Sequence, residues 1–212
     1  MHEYMAYLLL SLDKFLAPKG FTLLPQKQQF RKALGQGSFQ NIVVSLSAYP
    51  DTVLISFHLG SRLAAVESLI QQFTQHLPDF KAEANTVLTE QGRLLGQPYL
   101  RHKAKDLAQL QEISLDFQDF MDKKGFAFLA QCTTLDSLEA LINTQAEQPH
   151  PYFYNAYYRA IKGLVLARLA FRPDFEDLYQ AYATQLQKLH SPAFQSENLE
   201  KLARFLRFFS FN

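Results

Sequence analysis

The chain has a single cysteine, Cys132, and no tryptophan. One thiol excludes an intramolecular disulfide, so noncovalent packing alone must hold the fold, and a lone Cys in an apolar run reads as a small buried hydrophobe suited to a reducing compartment. Long apolar runs are missing too. The run from Met5 to Leu10 is short, has His2 and Glu3 ahead of it instead of a basic flank, and continues into Asp13 and Lys14 without a small-residue cleavage site. No stretch approaches the roughly 20 apolar residues of a membrane span. The expectation is a soluble, cytoplasmic protein.

Excess charge of one sign is also lacking. With 21 Lys+Arg against 20 Asp+Glu the net charge is +1, too little for long-range attraction to nucleic acid or membrane. The halves differ mildly: residues 1–105 hold 11 basic and 7 acidic side chains, residues 106–212 hold 10 and 13. Motifs of chemistry are absent as well: no phosphate loop, no dinucleotide glycine fingerprint, no HExxH, no nucleophile elbow. The six histidines (His2, His58, His76, His102, His150, His190) lie far apart and none pairs with another at helical ligand spacing. Spacing therefore supports no metal and no cofactor.

What the chain does have is apolar material in quantity: it is 48% hydrophobic, with 19 Phe and 10 Tyr, enough to fill a core with aromatic rings. Two stretches nearly repeat. Residues 13–24 and 118–129 each end an amphipathic run on Lys-Gly (Lys19-Gly20 and Lys124-Gly125), and Phe21 or Phe126 then opens an apolar run. Gly there supplies the left-handed backbone that stops a helix. Both sites are expected to be helix-to-extended junctions, with each Phe pinned back onto the helix just left.

Between them the period changes. Tyr4, Leu8, Leu12 and Phe15 form a helical stripe; Ile42, Val44, Leu46 and Ala48, then Val53, Ile55, Phe57 and Leu59, alternate with polar residues. Gly35-Gln36-Gly37 and Tyr49-Pro50-Asp51-Thr52 carry turn chemistry. A three-strand antiparallel meander with one dry and one wet face follows, with a fourth strand near residues 84–89. A helix is expected over 63–77, and 101–105 reads as a basic connector. Further helices are expected over 107–121, from Thr133 with Asp136, over 152–171, after Pro173, and after Ser196. The fold class is α+β: N-terminal helix, meander with a backing helix, then a bundle of about five helices. The division falls at 1–97 and 98–212, the two parts packing as one unit.

Three features bear on function, each with a plainer reading. The wet face of the meander gathers Ser45, Ser47, Ser56 and His58, with Lys27, Gln29 and Arg31 alongside; it suits a polar ligand, or is an ordinary solvated face. Tyr152-Phe153-Tyr154-Asn155-Ala156-Tyr157-Tyr158-Arg159 puts five aromatics in seven residues, with Arg159 and Lys162 as anion-holding cations, or is a core helix that Gly163 and Ala167 let a neighbour approach. The C-terminal stretch 199–211 carries Leu199, Leu202, Leu206 and Phe209 on one stripe, which suits docking onto the bundle more than a membrane surface. The acidic turn Asp174, Glu176, Asp177 reads as compensation of a helix dipole.

The resulting expectation is a binding or interaction module without catalytic activity, its partner a protein or a small polar ligand. The contact residues would come from Lys27, Arg31, Ser45, Ser47, Ser56, His58, Tyr154, Tyr158 and Arg159. The alternative is a small-molecule enzyme with a site between the halves, His58 as acid/base and the Tyr/Arg cluster on an anionic substrate. Nucleic-acid binding would need a continuous stripe through Lys27, Arg31, Arg101, Lys103 and Lys105, a larger basic footprint than the sequence presents.

Overall fold

The computed structural model describes residues 2–74 and 77–209, so His76 and the last residues of the 199–211 stretch lie outside it. The architecture is α+β, with two compact units. The described residues of 1–62 and 87–132 form the first, and those of 63–86 and 133–212 the second. Each is assembled from two separated segments of the chain.

In the first unit, α1 (His2–Leu16) buries Leu8, Leu12 and Leu16 completely. Gly20 then takes φ +87 and closes the turn with its N–H on the Ala17 carbonyl. The chain leaves into β1 (Thr22–Leu24), β2 (Gln29–Gly35), β3 (Ser38–Tyr49) and β4 (Thr52–Arg62). The β2–β3 hairpin turns on Gln36-Gly37, at φ +50 and +76. Positive φ at both central residues is what a type I′ turn requires, and its twist matches the strands.

The sheet is antiparallel, ordered β1-β2-β3-β4-β5, with β5 at Val87–Glu90; β6 (His102–Ala104) pairs with the far end of β4. The expected basic connector is therefore partly a strand, since Lys103 and Ala104 continue the ladder opposite Leu54 and Val53. Register pairs Ile42 with Leu59, Val44 with Phe57 and Leu46 with Ile55 on the dry face. That face packs on helices: the Phe57 ring stacks on Phe117 of α5 (Leu107–Phe120) at 3.9 Å between centroids. Gln40 donates to the Leu129 carbonyl of α6 (Phe126–Gln131) at 2.8 Å.

The second Lys-Gly-Phe site does not end a helix. Gly125 sits at φ −62, ψ −46, and the chain runs from α5 through a π-helical turn (Met121–Gly125) straight into α6. Here glycine is needed for space: a Cβ would strike the Met121 sulfur and lie 3.2 Å from a Leu59 methyl. The two repeats nevertheless meet. Phe126 lies against Phe15 and Phe21, and Lys19 sits 4.8 Å over both the Phe15 and Phe126 rings while pairing with Asp122 at 3.1 Å.

The remaining elements near β5 are α2 (Ala64–Ile70), α3 (Pro78–Lys81) and α4 (Gln91–Leu94). The first of these stops well short of residue 77. Pro78 holds Leu77 extended, at φ −59 and ψ 139, which bars a helix from running through it. In the second unit, α2 packs on α8 (Ala156–Leu169). The other helices there are α7 (Leu135–Asn143), α9 (Phe175–Lys188) and α10 (Ala193–Phe208). Thr134, not Thr133, caps α7 in a capping box with Ser137. Asn155 caps α8 by accepting from the Tyr158 N–H, so Tyr152, Phe153 and Tyr154 precede the helix instead of forming its first turn.

Leu199, Leu202 and Leu206 of α10 are buried, as docking requires, while Phe208 is exposed. The acidic turn does more than face a dipole: Asp174 chelates Arg172 at 2.7 and 2.8 Å, and Glu176 chelates Arg207 at 2.7 and 2.8 Å. Asn143 links three helices by donating to the Gly163 carbonyl at 3.0 Å and accepting from Tyr182 at 2.6 Å. A Cβ on Gly163 would fall on both of these polar atoms. Gly163→Ala is therefore expected to destabilise the protein by about 1–3 kcal/mol, the usual range for overpacking. Urea unfolding followed by circular dichroism measures this, and an unchanged midpoint would refute it.

Candidate functional site

Helix α2 is short and its apolar residues Val66, Leu69 and Ile70 are buried. Glu67 lies beside that stripe, within one turn of Ile70, and is buried with it at 1% exposure. Burying a carboxylate without partners is costly, because it forfeits hydration that nothing replaces. Yet the Glu67 Oε1 atom has no hydrogen-bond partner in the protein.

Helix α8 supplies the second group. Tyr157, Arg159, Ala160, Ile161 and Gly163 through Ala167 are buried, whereas Lys162 keeps part of its stem exposed. Its ammonium nonetheless sits among protein atoms, donating to the Asn85 carbonyl at 2.7 Å. Burial pushes the Lys162 amine below the usual lysine range, and the charge of Glu67 works the other way. The Thr86 hydroxyl holds this segment beside the start of α2 by accepting from the Leu63 N–H at 3.0 Å.

These groups line a pocket of about 350 Å³ whose walls are Glu67, Ile70, Phe80, Glu83, Ala84, Asn85, Tyr158 and Lys162. All belong to the second unit. A few convergent polar groups in an apolar cleft of this volume are the ordinary makings of a small-ligand site. Ile70, Phe80 and Ala84 offer apolar wall, Lys162 an amine, and Glu67 an acceptor that nothing in the protein satisfies.

The residues singled out in the sequence are dispersed. Tyr158 lines this pocket. Tyr154 is 63% exposed ahead of α8. Arg159 is 1% exposed and wholly committed: Nε donates to the Ile142 carbonyl at 3.0 Å, Nη2 to Thr144 and Gln145, Nη1 to Gln148. It closes the C-terminal end of α7 and the turn after it, and offers no surface to an anion.

Ser45, Ser47, Ser56 and His58 do share the wet face, with Ser45 opposite Ser56 and His58 opposite Val43. Lys27 sits in the turn before β2, and Arg31 stacks on Phe39 at 4.0 Å. His58 gains a partner from β5, its Nε2 lying 3.5 Å from Glu90 Oε1, while Arg101 grips the same carboxylate at 2.9 and 3.2 Å. Burial lowers the His58 pKa from 6.5, Glu90 resists and Arg101 adds to the fall, so the ring is neutral at pH 7.

A second cavity of about 330 Å³ beside the π-helical turn is lined by His102, Asp116, Phe120 and Lys124 among others. Four of its polar groups are matched internally: His102 Nε2 meets Gln91 at 2.9 Å, and Asp119 pairs with Lys123 at 2.7 Å. Cys132 is buried, its thiol pushed up to about 12 by desolvation, which leaves it unreactive. Among the described residues no group of three His, Cys, Asp or Glu side chains is placed to hold a metal ion, and no helix is long and apolar enough to cross a membrane.

Sequence reasoning reached Tyr158 and Lys162 through the aromatic run but missed Glu67, Phe80, Glu83 and Asn85. The one available signal was Glu67 flanking the apolar stripe of a short helix. No family model, curated protein or solved structure matches the chain.

Two outcomes are expected. Replacing both buried charges (Glu67→Met with Lys162→Met) raises the unfolding free energy by about 1–4 kcal/mol, because apolar side chains avoid the desolvation penalty. Lys162→Met alone lowers it, by removing the cation whose charge interacts with the Glu67 carboxylate. Denaturant titration reads both, and a double variant weaker than the single one would contradict the argument.

The second outcome concerns acid. His58, His102 and His150 all have pKa values lowered from 6.5, chiefly by burial. The folded state then binds fewer protons than the unfolded chain, so stability falls as pH drops from 6.5 through the folded values and levels off below them. Urea midpoints between pH 7.5 and 5 should decline, and His58→Gln should flatten part of the slope. A midpoint constant over that window excludes this.

Proposed function

We propose that the protein is a binding module for a small ligand, held in the pocket between α2, α8 and the residues following α3. The observation that carries this reading is the Glu67 carboxylate, buried to 1% exposure with Oε1 unsatisfied, lining a cleft wide enough for a ligand. Buried polar atoms are nearly always hydrogen-bonded, and an unsatisfied acceptor on a residue that lines a cavity fits a donor that arrives from outside. The ligand therefore brings an N–H or O–H to Glu67 and rests its apolar part on Ile70 and Phe80. Tyr158 at the rim contributes ring surface. The two carboxylates, Glu67 and Glu83, disfavour a strongly anionic ligand.

The expected partner is thus a small polar molecule. The enzyme alternative loses one of its supports, since Arg159 is tied up by carbonyls of its own unit. A panel of small alcohols, amines and amides screened by ligand-observed NMR tests the proposal. Saturable binding to the wild type, weakened about tenfold in Glu67→Gln, is expected from the loss of one charge-assisted hydrogen bond. Binding equally strong in Glu67→Gln, or none across donor-bearing compounds, would sink it.

A further inference from the structure

We propose that this pocket captures a small hydroxylated carbonyl compound as an imine on Lys162, the ligand hydroxyl donating to Glu67. The inference rests on the binding reading above and names the chemistry that the reading leaves open.

Lys162 lines the cavity and reaches Asn85 through one hydrogen bond of 2.7 Å. A neutral amine keeps that bond with one N–H and still has its lone pair to offer. Desolvation favours the neutral form, as the lowered pKa indicates, and neutral lysine amines are the ones that attack carbonyls. An exposed lysine is almost wholly protonated at pH 7 and has no lone pair to give.

The pocket is also lined by Ile70, Phe80 and Ala84, apolar surface that suits a short carbon chain. Glu67 lines the same cavity and its Oε1 carries no protein donor, which makes it the acceptor assigned to the ligand hydroxyl.

The step balances without any outside reagent. The Nζ lone pair forms a bond to the carbonyl carbon while the C=O π electrons move to oxygen. One amine proton passes to that oxygen, giving a carbinolamine. A second proton moves from nitrogen to the hydroxyl, water leaves, and the C=N bond forms. One carbonyl and one amine become one imine and one water, and hydrolysis reverses the capture.

Hydroxyacetone is the probe, with butanone as a control of similar size lacking the hydroxyl. Each is incubated with the full chain at pH 7, reduced with cyanoborohydride, and examined by intact mass and peptide mapping. The expected result is one adduct, on Lys162, absent from Lys162→Arg and about tenfold less abundant with butanone, as loss of a hydrogen bond to a charged group implies. Circular dichroism confirms that Lys162→Arg is folded.

Adducts spread over exposed lysines with no excess at Lys162 would overturn the proposal. So would an equal yield from butanone, since the hydroxyl would then be irrelevant. Glu67-dependent binding of hydroxyacetone by NMR without any trapped adduct removes the imine but leaves the binding reading standing. Neither binding nor trapping removes both.

Discussion

The guanidinium of Arg159 is the interaction on which the second unit depends. It is sealed from solvent and divides its donors among the carbonyls of Ile142, Thr144, Gln145 and Gln148, while lying 5.6 Å over the Tyr182 ring. The last carbonyls of a helix have no partners within it, and a cation there also meets the negative end of the dipole. One side chain thus ends α7, shapes the turn that follows and locks α8 against both. Burial lowers its pKa, yet arginine stays charged in proteins and the carbonyls compensate its desolvation.

Arg159 and the Asn143–Gly163–Tyr182 contacts clamp α8, and with it the backbone that carries Lys162. Lys162 follows three residues after Arg159 and is aimed at the Asn85 carbonyl. From the other side, α2 presents Glu67. An amine and a buried carboxylate thereby line one cleft, where apolar side chains would avoid the cost of desolvating charge. That conflict between local stability and the buried charge is the physical argument for a ligand.

In the first unit the meander was legible because alternation is a local signal. β3 and β4 show their dry and wet faces in the order of their own residues, and glycines mark the hairpin before them. Gly20 was legible for the same reason. Gly125 was not, although it sits in the same Lys-Gly-Phe setting. Nothing nearby in sequence says that Met121 and Leu59 crowd its Cα, so the same three residues end one helix and continue another. The π-helical turn and the strand at His102–Ala104 were likewise invisible, since both depend on partners far along the chain.

The sequence by itself determined the fold class, the strand faces, most helix positions and the absence of recognised catalytic spacing, because these follow from short-range periodicity and capping chemistry. Only the tertiary structure decided which polar residues matter. Arg159 and Lys162 lie less than one turn apart and look alike as cations in sequence. One is spread over four carbonyls and closes a helix; the other lines a cavity opposite Glu67. Glu67 comes from a segment 95 residues before Lys162, and its isolation arises from what packs around it. Burial and missing partners are properties of three-dimensional neighbourhoods, and no pattern along the chain records them.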